Sequence, residues 1–492
     1  MGMNGDQFYE NMPMQLRSLK AEDIVLPSEG RSVAKMINAY YYETNILDRS
    51  GVDDTFTSAL RASVYSRRRN SSSNFSFSFW INPNAPRIPL DSVLPSIQTP
   101  LLPEKPYVDL HKYYVKSTYG NDIQKLLEDE TSQQFFDCSL TVKLEDGELF
   151  DIKAHRIVLS SASSYFREIF SQKKYIRNDF VADVIVLDQH EDQISFRIIL
   201  LCCKVFAIKL IQFIYSGHLK LDFGDCEEFV SMVKCLDICS TANNSTFLEI
   251  DDENFRSNLI LRGLNDSTCE SSLDIIGENE ERFRVYKPIL MARCEAINVM
   301  MKNEFLEKKE NQINLLDISA TVLKMFLSYC FTDQIDRLID VSELEIDHFS
   351  EALELASRFC LASFAQLIQT TLINRLTSLP DQECCVIIAS QIIGLAKLFN
   401  FDCILHWCLT YLCCHKKDVW IDMLDEDTAH FIDIHCWPPE WYFDELRIYD
   451  LEMANLEKHL EKRRTKAFLR QNRDQCCLNV GHFLFNFVRF GK

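Results

Sequence analysis

The feature that most constrains this chain is a pattern of strand, tight turn, strand and apolar helix that occurs twice, roughly 130 to 150 residues apart. In the first copy Leu140, Val142 and Leu144 alternate with Thr141 and Lys143, the period of a half-buried strand. Glu145, Asp146 and Gly147 give a hairpin signal, and Phe150 and Ile152 begin the return strand. A helix from about Ser161 carries Tyr165, Phe166, Ile169 and Phe170 on one stripe. Val184 to Leu187 reads as a short strand, and the helix holding Leu210 to Tyr215 stops at Gly217. In the second copy Phe283 and Val285 lie on a strand, and Pro288, Ile289 and Leu290 open the next segment. Ala296, Ile297, Met300 and Met301 share a helix, Ile313 to Leu316 is a strand, and Val322 to Phe331 is a helix. Phe349 to Ile368 is apolar at helical spacing. This repeat is too long for a solenoid and suits a duplicated domain. The expected fold class is α+β: two small sheets flanked by helices, followed by a helical region.

The length of 492 residues allows two to four domains. The 72 acidic groups outnumber the 52 basic ones, giving a net charge of -20 and arguing against a nucleic-acid partner. The 19 cysteines include the adjacent pairs Cys202–Cys203, Cys384–Cys385, Cys413–Cys414 and Cys476–Cys477. They lack paired C-x-x-C spacing, so neither a metal site nor a cofactor is expected, and buried thiols in a reducing compartment are. The first thirty residues hold no secretory core. The most apolar run, Ile198 to Ile214, contains Lys204 and Lys209. It reads as a buried helix with an apolar insert at 198–205, and no transmembrane segment is expected.

Outside the repeats, Val33, Ala34, Met36 and Ile37 give a short helical face, Tyr40 to Tyr42 suits a strand, and Asp53 to Arg67 suits a helix with Phe56, Ala59, Leu60 and Val64 on one side. Seven of the 13 prolines fall between Ser71 and Pro106, the mark of an extended linker. Residues 380–435 are helical and rich in cysteine. After Trp437 to Tyr442, the residues Leu446, Tyr449, Met453, Leu456 and Leu460 recur by three and four. Lys462 to Arg473 holds six basic residues and no acidic one, which reads as a solvated helix end.

The first repeat resembles a BTB (POZ) domain. The resemblance rests on Phe136-Asp137-Cys138-Ser139-Leu140, Ala154-His155-Arg156-Ile157-Val158-Leu159-Ser160, Ser164-Tyr165-Phe166 and Phe213-Ile214-Tyr215-Ser216-Gly217. The second is similar at Tyr286-Lys287-Pro288-Ile289-Leu290, with Tyr286 in place of the histidine, and at Phe331-Thr332-Asp333 where Tyr-Thr-Gly is usual. With Gly30 to Lys35, Tyr41 to Asn45 and Trp437 to Tyr442, the whole chain resembles the Rho-related BTB family, atypical Rho GTPases with tandem BTB domains. The resemblance implies a remnant of the C-terminal part of an α/β Rho-like GTPase domain at 1–70 and a linker at 71–130. It then implies BTB domains at 131–250 and 265–375, a BACK-like helical region at 376–436 and a charged helix and tail at 437–492. Neither a G-x-x-x-x-G-K-[S/T] loop nor a guanine-reading Asn/Thr-Lys-x-Asp motif occurs, so GTPase activity is not expected. Either the start is truncated relative to the family or most of that domain has been lost.

By the same resemblance Asp137, His155, Tyr165, Phe166, Tyr215 and Gly217 mark the BTB framework and its groove. Asp137 and His155 either line a dimer groove or form a local hydrogen bond at a turn. No nucleophile is spaced to make them catalytic, and no enzyme activity is expected. Phe305, Leu306 and Glu307 match by position the hydrophobic-x-Glu segment that BTB domains present to the cullin-3 scaffold protein. Lys174-Tyr175-Ile176-Arg177 is the matching stretch of the first repeat, with arginine for glutamate. The implied role is an adaptor that recruits unknown substrate proteins to a cullin-3 RING ubiquitin ligase. The alternative is a dimerising scaffold in trafficking, cytoskeletal or transcriptional regulation. Either homodimers or pairing of the two BTB units within the chain would fit, as would a cytoplasmic location with vesicle or endomembrane association.

Overall fold

The computed structural model describes residues 25–37, 39–45, 49–73, 98–172, 178–188, 194–220, 226–238, 240–244, 247–265, 271–415 and 424–489. Residues 109–405 form one compact unit, and the described parts of 25–108 and 406–489 form another.

Within 109–405, the first module begins with helix α1 (Tyr119–Glu128), placed by its Tyr119, Ile123 and Leu126 face. The linker expected to reach 130 therefore ends earlier, in a helix whose Tyr119, Ile123 and Leu126 are 0–4% exposed. Strands β1 (Cys138–Lys143) and β2 (Leu149–Ala154) form the expected hairpin, with Gly147 at φ +89 in its turn. Helices α2 (Arg156–Ala162) and α3 (Ser164–Gln172) follow as two segments where one was expected. β3 (Val181–Asp188) and β4 (Ile194–Leu200) complete a four-stranded sheet of order β2-β1-β4-β3, with β1 and β4 parallel. The apolar run at 198–214 is thus the end of β4 followed by α4 (Lys204–Ser216), not one helix with an insert. Only Ile198 to Leu200 of the strand fall in the run, too few residues to show alternation. Thr141 on β1 is buried, and its hydroxyl donates to Asp151 at 2.5 Å. Gly217, left-handed at φ 78, closes α4. Helix α5 (Cys226–Cys235) and the short sheet of β5 (His218–Lys220), β6 (Ser240–Asn244) and β7 (Phe247–Ile250) finish the module.

Helix α6 (Asp252–Asn265) opens the second module. Its sheet has the order β10-β8-β9, from β8 (Ser272–Ile276), β9 (Arg282–Tyr286) and β10 (Gln312–Asn314). Between them run α7 (Lys287–Arg293), α8 (Glu295–Lys302) and α9 (Leu306–Glu310), and α10 (Ala320–Thr332) follows. Asp333, at φ 61, ends α10 in the left-handed conformation that Gly217 adopts after α4. Helices α11 (Ile346–Arg358), α12 (Ala362–Ser378) and α13 (Gln382–Phe399) then form the helical layer, with Phe326, Phe359 and Phe364 in its core. By length and composition α13 could cross a membrane, at a mean hydropathy of 1.4. Its Cys385, Ala389, Ile392 and Ala396 are buried, as in a core helix.

The two modules exchange helices. α1, which precedes the first, packs on α7 of the second as well as on α4; α6, which precedes the second, packs on α2 of the first as well as on α10. Gly263 allows the approach of α6 to α10, because a Cβ there would collide with the Phe331 ring. His155 and Tyr286, which end the second strand of each hairpin, meet edge to face at 6.2 Å. Both are at most 1% exposed. His155 does not bond Asp137. Its Nδ1 lies 2.9 Å from the Tyr215 hydroxyl and its Nε2 lies 3.3 Å from the Ser132 carbonyl. A neutral ring satisfies both partners, with Nε2–H donating to the carbonyl and the Tyr215 hydroxyl donating to Nδ1.

The flanking unit differs from the expected α/β remnant. Among its described residues there is no strand; residues 40–42 are irregular. A single extended segment has no neighbour with which to pair its backbone. The helix Pro27–Met36 buries Ala34 and leaves Val33, Met36 and Ile37 exposed, and the helix Val52–Ser73 leaves Phe56 and Leu60 exposed. What holds the first of these helices is polar. Glu445, 2% exposed on the C-terminal helix Glu440–Arg489, accepts from the Arg31 guanidinium at 2.6 Å and from the Ser28 N–H at 3.0 Å. Trp437 ties down the proline-rich stretch through its indole N–H, which donates to the Pro103 carbonyl at 3.1 Å. The Leu446, Tyr449, Met453, Leu456 and Leu460 face is half-buried on this one helix.

Two outcomes follow. Burial holds the His155 imidazole down at about 4, against the pull of the Ser132 carbonyl. The unfolded chain takes up that proton near pH 6.5, so stability should be full above this value and fall by about 3 kcal/mol as pH drops towards 4. In urea titrations H155Q should lose this part of the pH slope; parallel curves for the two proteins would contradict the assignment. In E445A, trypsin should cut after Arg31 and Lys35 faster than in the parent chain, because the half-buried guanidinium has lost the nearer of its two carboxylates, keeping only Glu452 at 3.8 Å. Equal rates would show that the helix Pro27–Met36 is held by something else.

Candidate protein-interaction site

The six framework residues of the first module sit in or against its core. Asp137 accepts from the Arg156 backbone N–H at 2.6 Å, capping α2, and faces the Arg156 guanidinium at 3.6 Å. Phe166 and Tyr215 are at most 1% exposed, Tyr165 is 9% exposed, and Gly217 is a helix cap. None of the apolar residues opens on a groove. They form the core, and His155 reaches the seam between the modules. Cys138 is likewise a core residue: its thiol donates to the Ala154 carbonyl, and burial pushes its pKa up. The Lys174–Arg177 stretch lies outside the described residues.

The second module carries an exposed apolar segment. Phe305 caps the start of α9 and is 48% exposed, and Leu306 beside it is 62% exposed. With Glu307, Phe305 lines a groove of about 640 Å³. Val299 and Met300 of α8 form one apolar wall, and Phe359 and Leu361, at the turn between α11 and α12, form another. The Phe305 ring therefore does not pack back into the core. It borders a cleft whose carboxylates are Glu295, Glu307 and Asp122.

The remaining wall comes from the first module. Asp122 and Lys125 of α1 line the same groove, and Asp122 meets Arg293 of α7 at 2.9 Å. The Arg293 side chain is 1% exposed and also pairs with Asp333. Asp122 further accepts from the Thr118 hydroxyl at 2.6 Å, and Asp333 from the Ser117 hydroxyl at 2.5 Å. Tyr119 donates to the Phe331 carbonyl at 2.6 Å. Sequence reasoning missed this network. One visible signal was Asp333 standing where the resemblance expects glycine: the left-handed site is kept, and a carboxylate is added. Arg293, the charge that ends the apolar run of α7, was the other trace.

No group of three or more His, Cys, Asp or Glu among the described residues could hold a metal. A second cleft, of about 480 Å³, lies in the flanking unit between Arg31, Tyr41 and His459. Burial and the bond to Glu43 raise the Tyr41 hydroxyl there to about 12.

A model of the BTB/POZ domain matches residues 126–249 and 264–376. Rho-related BTB domain-containing protein 1 of Homo sapiens is 22% identical over 92% of this chain and 75% of its own length. Rho-related BTB domain-containing protein 2 of Mus musculus is 20% identical over 92% and 74%. The inhibitor of Bruton tyrosine kinase of Xenopus laevis is similar only locally, at 23% identity over 30% of this chain and 10% of its own length. Two BTB/POZ matches, inside alignments that run through most of the chain, make this a BTB/POZ-domain protein related to the Rho-related BTB domain-containing protein family.

Proposed function

We propose that this chain is a non-catalytic adaptor that docks cullin-3 through the groove at Phe305, Leu306 and Glu307 and brings client proteins to a RING ubiquitin ligase in the cytoplasm. The observation that carries this reading is the exposure of Phe305 at the mouth of an apolar groove, with Leu306 exposed beside it in the chain. Free apolar side chains beside a cleft are what a binding partner can desolvate, and a few such anchors dominate an interface. Glu295 and Glu307 on the rim suit a partner with basic groups, giving orientation and on-rate more than affinity. The helical region takes part, since Phe359 and Leu361 are groove walls. The adaptor does no chemistry. It raises the effective concentration of a client near a charged ubiquitin carrier.

Binding of the purified chain to the purified N-terminal region of cullin-3 tests the site. F305A/E307A should weaken binding at least about 30-fold, equivalent to the loss of about 2 kcal/mol. Unimpaired binding by the double variant would remove the groove as the contact. No binding by either form would leave the scaffold reading, in which the paired BTB domains serve other assemblies.

A further inference from the structure

We propose that the part of the helix Glu440–Arg489 beyond Leu460 is a membrane-interface helix that docks the chain on a bilayer carrying acidic lipid. This holds whether or not the groove takes a cullin.

This helix changes character along its length. Up to Leu460 it belongs to the folded unit, with Glu445 buried and the Leu446 to Leu460 face half-buried. From Glu461 to Lys466 every residue is exposed, and Phe468 and Leu469 are 63% and 61% exposed among the cations. Lys462 to Arg473 holds six basic residues and no acidic one, in a chain of net charge -20. Lys462, Lys466, Arg470 and Arg473 follow at steps of four, four and three, the spacing of one helical row, in which like charges repel. No carboxylate among the described residues pairs with Lys462, Arg463 or Lys466. An anionic surface relieves this repulsion, and because the rest of the chain is acidic, the same surface repels the rest and selects this helix. Beyond Asp474 the sequence turns apolar and carries no acidic residue: Leu478 to Phe490 contains four phenylalanines, two leucines and two valines. Thirteen residues interrupted by Asn479, His482, Asn486 and Arg489 are too short and too polar to cross a hydrocarbon core, but they suit the headgroup boundary. A cationic stretch continued by an apolar one meets an acidic bilayer at both levels: lipid headgroups take the Lys and Arg ends, and the acyl boundary takes Phe and Leu. A nucleic acid matches only the cations. Leu469, Leu478, Val480 and Leu484 have no ring to stack on a base, so such a partner leaves them in water.

Flotation of the full chain with lipid vesicles tests this. The chain should rise with vesicles in which about a third of the lipid is phosphatidylserine and the rest phosphatidylcholine, and should stay behind with phosphatidylcholine alone. Raising the salt should weaken its attachment to the acidic vesicles. K462Q/R463Q/K466Q, which changes only exposed positions, should bind the acidic vesicles about 100-fold more weakly, each charge contributing a factor of about five. F468S/L469S keeps every charge and should still bind at least about 10-fold more weakly, because its apolar contacts with the acyl boundary are gone. Equal attachment of the parent chain to both kinds of vesicle, attachment to neither, or unimpaired attachment of either variant would overturn the proposal. Tighter binding to a duplex RNA than to the acidic vesicles would overturn it too, by assigning the cations to a nucleic acid.

Discussion

Arg293 sits with 1% of its side chain exposed between a carboxylate from its own domain and one from the other. Taking a guanidinium out of water is unfavourable by several kcal/mol unless its hydrogen-bonding directions are met by opposite charge. Asp122 and Asp333 supply that charge, and the rings of Tyr119 and Tyr329 lie 5.1 and 4.7 Å from the guanidinium carbon. The position of the first domain relative to the second is therefore not set by apolar contact alone. Apolar surfaces slide, whereas a buried ion pair with several satisfied directions has one register.

That register has a consequence for the groove. Asp122 and Lys125 border it only because α1 has been drawn across to α7. The exposed Phe305, the helix-turn residues Phe359 and Leu361, and α1 come from three separate stretches of sequence, and domain pairing brings them round one cleft. The first domain thus contributes to the site without an exposed framework residue of its own. His155, Tyr215 and Phe166 are spent on its core and on the contact with Tyr286.

The sequence made the repeated domain legible because hairpins and amphipathic helices have short periods. The β1–β2 hairpin around Gly147 and the stripe at Tyr165 and Phe166 could be read locally. The 198–214 run could not be divided: an inner strand and a buried helix are both continuously apolar, and periodicity does not separate them. The flanking segment misled for a related reason. Val33, Met36 and Ile37 lie on one helical face, but the helix is docked through Arg31 and Glu445, more than four hundred residues apart in the chain. The exposed triplet at Phe305 was found only through its place in the family pattern, and no local rule would single it out. The network of Asp122, Arg293 and Asp333 left only faint traces in the sequence because its members meet across domains, which a single sequence does not display.

The account rests on one chain presenting one groove, built from both of its BTB domains. Native mass spectrometry of the full chain mixed with the N-terminal region of cullin-3 tests this most directly. The predicted species contains one 57.3 kDa chain and one cullin fragment. A complex of two chains with two cullin fragments, or one that persists when α1 residues Asp122 and Lys125 are both replaced by alanine, would contradict it.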